Sequence, residues 1–372
     1  MKTILPGKVI GIIGGGQLGR MMGLAAKEAG FKIAVLDPTE DSPCGQIADF
    51  RIVSPYNDEG ALKELAQVSD VITYEFENID YEGLKKLSET TYVPQGAELV
   101  RITQNRINEK AEITASGAPV ANYIAAETFE ELKVEIENIG FPCIVKTALG
   151  GYDGKGQVKL NSLEDLSQAE PLFQNSPCIA EAFVPFEKEI SVIIQRNAAG
   201  ESYCLPIAEN IHMNHILHES IVPARVDERV LVKAEEAATK IANHLEMVGT
   251  LAVEMFVLKD GEIVINELAP RPHNSGHYSI EACNVSQFHQ HIRAICGWPR
   301  RKPKLWEPCI MVNLLGEHVE PLNQVVHKYP DWSIHLYGKA EAKLSRKMGH
   351  ITIMTDSIES TLKEIEMTGI WS

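Results

Sequence analysis

Residues 250–277 read TLAVEMFVLKDGEIVINELAPRPHNSGH, two apolar runs around Asp260-Gly261 followed by a turn crowded with polar side chains. Asp-Gly between apolar runs is a strong signal for a tight β-hairpin. If those two residues form the loop, Lys259 pairs with Glu262 and Glu254 lies directly opposite Glu267. Two carboxylates facing each other across strands, ~5 Å apart at an effective dielectric of about 20, repel by roughly 3 kcal/mol. In so apolar a hairpin the arrangement calls for a cation or a shared proton. Asn266 adds another oxygen, and with no thiolate nearby the all-oxygen set suits Mg2+ or Mn2+ bridging to phosphates rather than zinc. The alternative is a one-residue bulge that turns the acids to opposite faces. Beyond the second strand, Arg271, His273, Asn274, Ser275 and His277 sit among Pro270, Pro272 and Gly276. Polar groups on a rigid turn beside an acidic pair suit an anion- or substrate-holding loop.

Upstream, the apolar strand GFPCIVKTA carries Lys146 near its end and leads into LGGYDGKGQ at 149–157. Glycine lets backbone N–H groups turn toward an anion at no steric cost. This is not a Walker A loop, because Gly154-Lys155 is followed by Gly156 instead of Ser or Thr. Lysine in an apolar strand is uncommon, so Lys146 either sits at a rim or faces an anion. TQNRINEKAEITASG reads as one helix with Arg106 and Lys110 on one face. For an isolated pair a solvated basic stripe is the plainer reading. CIAEAFVPFEKEISVII reads as two strands around a Pro185 bend, in which Glu181 and Glu189 either face water or accept hydrogen bonds from a ligand. YSIEACNVSQFHQHIRAICG reads as a helix ending at Gly297, with His289 and His291 as ordinary surface or packing residues.

The N-terminal hundred residues alternate KVIGII, a GGGQLG turn, the helix RMMGLAAKEAG and the strand FKIAVLD, the pattern of a βαβ unit in a parallel, doubly wound sheet. Gly14, Gly16 and Gly19 with Asp37 fit a dinucleotide fingerprint on paper. Taken alone they suggest a dehydrogenase, though such glycines also serve tight packing or another phosphorylated ligand. Glu75, Glu77 and Asn78 follow the strand DVITYEF, at the sheet edge where ligands lie. The C-terminal segment holds strands CIMVNLLG and WSIHLYG and a basic cluster, Lys339, Lys343, Arg346 and Lys347, either a solvated turn or a phosphate-binding edge.

At 372 residues the chain is long enough for two or three domains. Its formal charge of −16 argues against nonspecific nucleic-acid or anionic-membrane binding. Seven cysteines without a C-x-x-C pair fit reduced thiols in a cytoplasm. No signal peptide and no apolar stretch of ~18 residues is read from the sequence.

Lys146, GGYDGKGQ, the EAFV and KEIS acids, Glu254 with Asn266-Glu267, and NELAPRPHNSGH together resemble the ATP-grasp ligases. Within them, GGYDGKGQ, ELAPRPHNSGH and the C-terminal RKMGH resemble the 5-(carboxyamino)imidazole ribonucleotide synthase family, over essentially the whole chain. The resemblance implies a mixed α/β and α+β molecule with three parts: a Rossmann-like N-terminal domain at 1–100, an ATP-grasp domain at 101–297 and a small C-terminal domain at 298–372. It implies that Arg106 and Lys146 contact ATP phosphates and that Gly151, Tyr152, Asp153, Gly154, Lys155, Gly156 and Gln157 close as a lid. Glu181, Ala182, Phe183 and Val184 would line the adenine pocket, Glu189 would bind ribose, and His212 would sit at the nucleotide site. Glu254 and Glu267, with Asn266, would hold magnesium or manganese. Tyr152, Asp153, Arg271, His273 and Asn274 would face bicarbonate and the imidazole. Lys339 and Arg346 would hold the 5′-phosphate, with Gln17, Leu18 and Glu75 as further substrate contacts. The implied substrates are ATP, bicarbonate and 5-aminoimidazole ribonucleotide, joined through carboxyphosphate, and the implied assembly is a homodimer. Many relatives have a proline and a small residue where this chain has Leu344-Ser345, which bears on the local turn only. A formate-dependent glycinamide ribonucleotide transformylase, a biotin carboxylase, a dehydrogenase and a non-catalytic nucleotide-binding subunit are the competing readings.

Overall fold

The computed structural model describes residues 2–150, 156–174 and 176–371. The N-terminal part begins β1 (Val9–Ile13), α1 (Gln17–Glu28), β2 (Lys32–Asp37), β3 (Phe50–Val53), α2 (Glu59–Val68), β4 (Val71–Tyr74) and α3 (Tyr81–Thr90). The strands form a parallel sheet in the order β3-β2-β1-β4. Strands covered on both faces must be apolar throughout, which is what the expected βαβ reading rested on. Ile10, Ile12, Met22 and Phe31 pack on one face; Ile13, Leu36, Leu65 and Tyr74 pack on the other. Gly30, at φ +85°, lets the chain leave α1 and enter β2.

Next come α4 (Glu98–Thr103), α5 (Arg106–Ala115), β5 (Tyr123–Ala126), α6 (Phe129–Ile139), β6 (Cys143–Thr147), β7 (Gln157–Leu160), a run of 3-10 turns at Leu163–Gln174, and β8 (Cys178–Ala182). TQNRINEKAEITASG is therefore not one helix. Asn105 leaves helical geometry, and its side chain caps α5 by accepting from the N–H groups of Ile107 and Asn108. A small antiparallel sheet runs β5-β8-β6-β7.

The remainder is β9 (Phe186–Arg196), β10 (Ser202–Cys204), β11 (Ala208–Met213), β12 (Ile216–Val222), α7 (Glu228–His244), β13 (Gly249–Leu258), β14 (Ile263–Ala269), α8 (Ser279–Ala282), α9 (Gln287–Ile295), β15 (Cys309–Leu315), α10 (Gly316–Val325), β16 (Trp332–Leu336), β17 (Lys347–Met354) and α11 (Ile358–Met367). The single helix expected over 278–297 is broken, because Ser286 caps α9 by accepting from the N–H of His289. Among the described residues a large sheet runs β14-β13-β9-β11-β12-β15-β17-β16, with β10 beside β9. β15 pairs antiparallel with β12, so this sheet continues through the C-terminal segment. Residues 183–185 join the two antiparallel sheets, and the cleft between those sheets is lined by Lys110, Lys146, Glu181 and Asn266 among the polar groups singled out in the sequence.

Candidate active site

The hairpin of β13 and β14 brings Glu254 opposite Glu267, as the sequence suggests, but by a different route. The loop has three residues, not two: the N–H of Leu258 bonds to the carbonyl of Glu262, and Gly261 takes φ +78°. That loop pairs Val257 with Ile263 rather than with Val264. A bulge at Asn266 then shifts the register by one and restores the facing acids. The expected two-residue turn is thus corrected, and the bulge turns out to align the acids rather than separate them. Burial and the nearby Glu254 charge raise the pKa of Glu267. Burial would raise Glu254 as well, but the His273 imidazole, with Nε2 3.0 Å from Glu254 Oε1, holds it below the ordinary carboxylate value. One acid of the pair therefore titrates low and the other high.

Beneath Asn266 lies a narrow slot of about 70 Å³ lined by Lys110, Ile144, Lys146, Glu181, Ala182, Phe183, Val184, Phe186, Phe256 and Asn266, among others. Phe186 and Phe256 stack at its side, with centroids 4.5 Å apart. Glu181 neither faces water nor stands free. Lys110 Nζ lies 2.8 Å from its Oε1 and Lys146 bonds to its Oε2. Burial works to raise the Glu181 pKa, yet Lys110 and then Lys146 bring it to about 2. The solvated stripe is accordingly corrected: Lys110 is buried and also donates to the carbonyls of Ile265 (3.2 Å) and Asn266 (2.7 Å). Arg106, one turn earlier, donates through Nη1 to the carbonyls of Thr147 (3.0 Å) and Gly150. Glu109, between them, accepts from the N–H of Leu268 at 2.7 Å, and burial followed by Glu267 raises its pKa to about 8. On the neighbouring strands, His212 Nδ1 stands 3.0 Å from Glu189 Oε2.

The polar turn after β14 is tied into this cleft. Arg271 makes two hydrogen bonds to the carboxylate of Glu77, at 2.7 and 3.3 Å, so Glu77 orients the guanidinium. Asn274 has a buried Nδ2 without a partner among the described residues. An unpaired buried donor is costly, and a ligand oxygen would satisfy it. His273 Nδ1 lies 2.8 Å from Ser275 Oγ, which in turn accepts from Ser191 Oγ at 2.7 Å.

The glycine turn after β1 is closed by the protein itself. Glu75 accepts from the N–H groups of Gly16 and of Gly19 (2.6 Å), at the helix terminus where a pyrophosphate would sit in a dinucleotide fold. Asp37 is used by the Gly15 N–H (2.7 Å) and the Tyr56 hydroxyl (2.7 Å). A Cβ on Gly16 would meet Glu75 Oε1 at 2.6 Å, so that glycine serves close approach of a carboxylate. The fingerprint reading is corrected on that ground. Gln17 starts α1, whereas the Leu18 side chain is buried in the N-terminal core, leaving only its backbone for a ligand.

In the C-terminal segment Lys339 donates to the carbonyl of Lys347 at 2.7 Å, and burial, then Arg346, lower its pKa to about 8. Arg346 is exposed and donates to the carbonyl of Glu341 at 3.0 Å. Ser345, in the departure from the family pattern, takes φ +60°. Gly151, Tyr152, Asp153, Gly154 and Lys155 lie outside the described residues; Gly156 (φ +74°) and Gln157 lead into β7. A larger groove of about 770 Å³, between Pro308, Tyr329, Trp332 and Ser357, is open to solvent and includes none of the residues expected at the site. Glu109 and the His273–Ser275–Ser191 chain were missed in the sequence. The signal for Glu109 and Lys110 was their spacing from the core residue Ile113, which puts them on the helix's inner face.

Among the described residues no group of three or more His, Cys, Asp or Glu side chains forms a metal cage. Magnesium needs none, since it is held through one or two carboxylates plus phosphate oxygens and water. A facing pair of acids, one raised by the other, fits that demand.

Comparison with known proteins agrees with this geometry. A ribonucleotide synthetase preATP-grasp domain matches residues 7–104, an ATP-grasp domain matches 111–288, and a phosphoribosylaminoimidazole carboxylase C-terminal domain matches 309–364. The N5-carboxyaminoimidazole ribonucleotide synthase of Bacillus subtilis (strain 168) is 51% identical over 364 residues, 98% of this chain and 96% of that protein. The crystal structure of an N5-carboxyaminoimidazole ribonucleotide synthetase solved as its ADP complex superposes with a TM-score of 0.97, at 56% identity, covering 100% of this chain and 98% of the other. An N5-carboxyaminoimidazole synthase from Aspergillus clavatus, in complex with ADP and 5-aminoimidazole ribonucleotide, gives a TM-score of 0.90 at 31% identity over 97% of both chains. Similarity of that extent, end to end, leaves one conclusion: the chain belongs to the N5-carboxyaminoimidazole ribonucleotide synthase family of ATP-grasp enzymes.

Proposed function

We infer that this protein is a ligase of purine biosynthesis that uses ATP to carboxylate the exocyclic amine of 5-aminoimidazole ribonucleotide, giving N5-carboxyaminoimidazole ribonucleotide. The observation that carries this reading is the shared cleft. The Lys110–Glu181–Lys146 cluster lines it together with Asn266, whose neighbour Glu267 faces Glu254 across the hairpin, and His273, 3.0 Å from Glu254, ties the turn of Arg271 and Asn274 to that pair. Bicarbonate is the proposed carbon source. The γ-phosphoryl group of ATP passes to a bicarbonate oxygen, releasing ADP and leaving carboxyphosphate. The amine nitrogen then bonds to its carbon, phosphate leaves, and the amine gives up a proton.

Each step asks something of this chain. Lys146 and Arg106 are suited to phosphate oxygens, and Ala182, Phe183 and Val184, with the stacked Phe186 and Phe256, to the base. Glu189 and His212 are proposed for the ribose side. Glu254 and Glu267, with Asn266, would hold Mg2+ (or Mn2+), which supplies charge neutralisation at the phosphates when bound. Arg271, fixed by Glu77, and the unpaired amide of Asn274 suit a bicarbonate or carboxyphosphate oxygen. Tyr152 and Asp153 belong to the proposed lid of residues 151–157, which would exclude water from an intermediate that water destroys. Lys339 and Arg346 are proposed for the 5′-phosphate, and Gln17, the Leu18 backbone and Glu75 for further substrate contacts.

A cytoplasmic homodimer is the proposed state. No helix among the described residues is long and apolar enough to cross a membrane, and the seven cysteines are free. The deciding experiment measures ADP release by purified protein with each substrate omitted in turn. Release should require bicarbonate and rise on addition of 5-aminoimidazole ribonucleotide; ATP hydrolysis indifferent to that ribonucleotide rejects the assignment.

A further inference from the structure

Gln287 opens α9 with its side chain fully buried, and nothing in its sequence context marks it. Its amide reaches back 14 residues to the substrate-holding turn: Oε1 accepts from the His273 N–H at 2.8 Å, and Nε2 donates to the His273 carbonyl at 2.7 Å. A backbone N–H only donates and a carbonyl only accepts, so this double contact fixes which amide atom is which. The side chain thus does for one residue what a neighbouring strand would do, holding both backbone polar groups of a segment that no sheet reaches. The remaining Nε2 hydrogen points to His277 Nδ1, 3.1 Å away.

The His273 side chain is held independently. Ser191 donates to Ser275 Oγ, leaving the Ser275 hydroxyl to donate to His273 Nδ1 and the His273 Nε2–H to meet Glu254. Beyond His277 the contacts continue into the C-terminal strands: its ring centroid lies 4.7 Å from that of His350, and the Tyr337 hydroxyl lies 2.9 Å from His350 Nδ1. Tyr337 stands two residues before Lys339, and β17 begins at Lys347. Gln287 is thus linked through His277 to His350 of β17 and to Tyr337, two residues before Lys339.

We propose that Gln287 is a positioning residue for the carboxylation step, clamping the His273 backbone so that Arg271, His273 and Asn274 present a fixed geometry to bicarbonate and the amine. The proposal rests on the reading of this turn as the bicarbonate- and imidazole-facing loop. Gln287 does not border the slot lined by Lys146 and Phe183, so its loss acts on coupling rather than on ATP.

The test is steady-state kinetics of Gln287→Leu with ADP and carboxylated product counted separately. A loosened turn lowers kcat for carboxylation on the order of 100-fold, the cost of about an ångström of misplacement. The KM for ATP stays within about twofold, and more than one ADP is released per product. Gly276→Ala, whose Cβ would stand 2.7 Å from Gln287 Oε1, should reproduce that split, and it decides the matter if Gln287→Leu fails to fold. Wild-type coupling and kcat in the variants overturn the proposal. So does a rise in ATP KM parallel to the loss of kcat with a lowered melting temperature, which marks a merely structural role. If the wild-type protein itself shows no ribonucleotide-stimulated ADP release, the functional reading has failed and the proposal falls with it; intact stimulation with unaffected variants rejects the proposal alone.

Discussion

Lys110 and Glu109 stand side by side on α5, both buried, and they show how a single residue's surroundings set its chemistry. Lys110 is held by one carboxylate and two carbonyls, so removing it takes one of two lysines from the buried Glu181 charge and a donor from both carbonyls. Lys110→Met should therefore destabilise the fold by about 3–5 kcal/mol in denaturant titrations and raise the KM for ATP. A loss under ~1 kcal/mol would place Lys110 among exposed pairs, contrary to its burial. Glu109 runs the other way. Its pKa is raised to about 8, so the folded state binds a proton that the unfolded chain releases near 4.5. Its contribution to stability is thus lost as pH climbs from about 4.5 to about 8. Glu109→Gln should flatten the fall of melting temperature over that range, and an unchanged slope counts against a protonated Glu109.

Among the elements, the hairpin of β13 and β14 carries Glu254, Asn266 and Glu267, and the helix α5 carries Arg106, Glu109 and Lys110. In the hairpin a three-residue loop and a bulge act together, each shifting register by one, and their joint effect is that Glu254 meets Glu267. Keeping like charges opposed costs stability that a tolerant sequence would avoid. Glu267→Gln should accordingly raise the thermal midpoint above pH 7 while reducing turnover and increasing the magnesium requirement on the order of 10- to 100-fold. Full activity in that variant rejects the paired-acid reading. For α5 the sensitive point is its start, where Asn105 satisfies two helix N–H groups and the N–H of Arg106 bonds to the carbonyl of Ala148 at 2.9 Å. Asn105→Ala should cost about 1 kcal/mol, seen as a lower urea midpoint, and should weaken ATP binding because Arg106 and Lys110 ride on this helix.

Across the whole molecule, His291 joins parts that the sequence keeps far apart. Its Nε2 lies 2.8 Å from the Thr73 hydroxyl of the N-terminal sheet and its Nδ1 3.3 Å from the Thr250 hydroxyl of the large sheet. Thr73 bonds on to Gln95, whose Nε2 donates to the carbonyl of Pro270 at 3.1 Å, at the head of the polar turn 271–277. His291, read from sequence as an ordinary residue, is thus a buried link between domains, and burial lowers its pKa to about 3. The unfolded chain takes up a proton near 6.5 that the folded state refuses, so stability is lost as pH falls from about 6.5 toward 3. His291→Leu should be destabilised by about 1–3 kcal/mol at pH 8 by removing the imidazole from the Thr250 hydroxyl and leaving Thr73 to Gln95, and should be less sensitive to acid than wild type. With Thr73→Val added, the double variant should lose less than the sum of the singles, and strict additivity denies the link.

The apolar periodicity of β1 and β2, the Gly30 stop, the Pro185 bend and the polar turn were legible because each rests on neighbours in the chain. Local steric and pairing rules suffice for those. The facing acids, by contrast, were met only because the bulge at Asn266 offsets a loop one residue longer than the one read. The protein's use of Glu75 against its own glycine turn, the burial of Lys110, the Glu77 hold on Arg271 and the Gln287 clamp on His273 join residues 14 to 194 positions apart. No local rule reaches that distance. Whether a charged or amide side chain meets water, a ligand or another side chain depends on which surfaces tertiary packing brings together, and only the folded chain decided it.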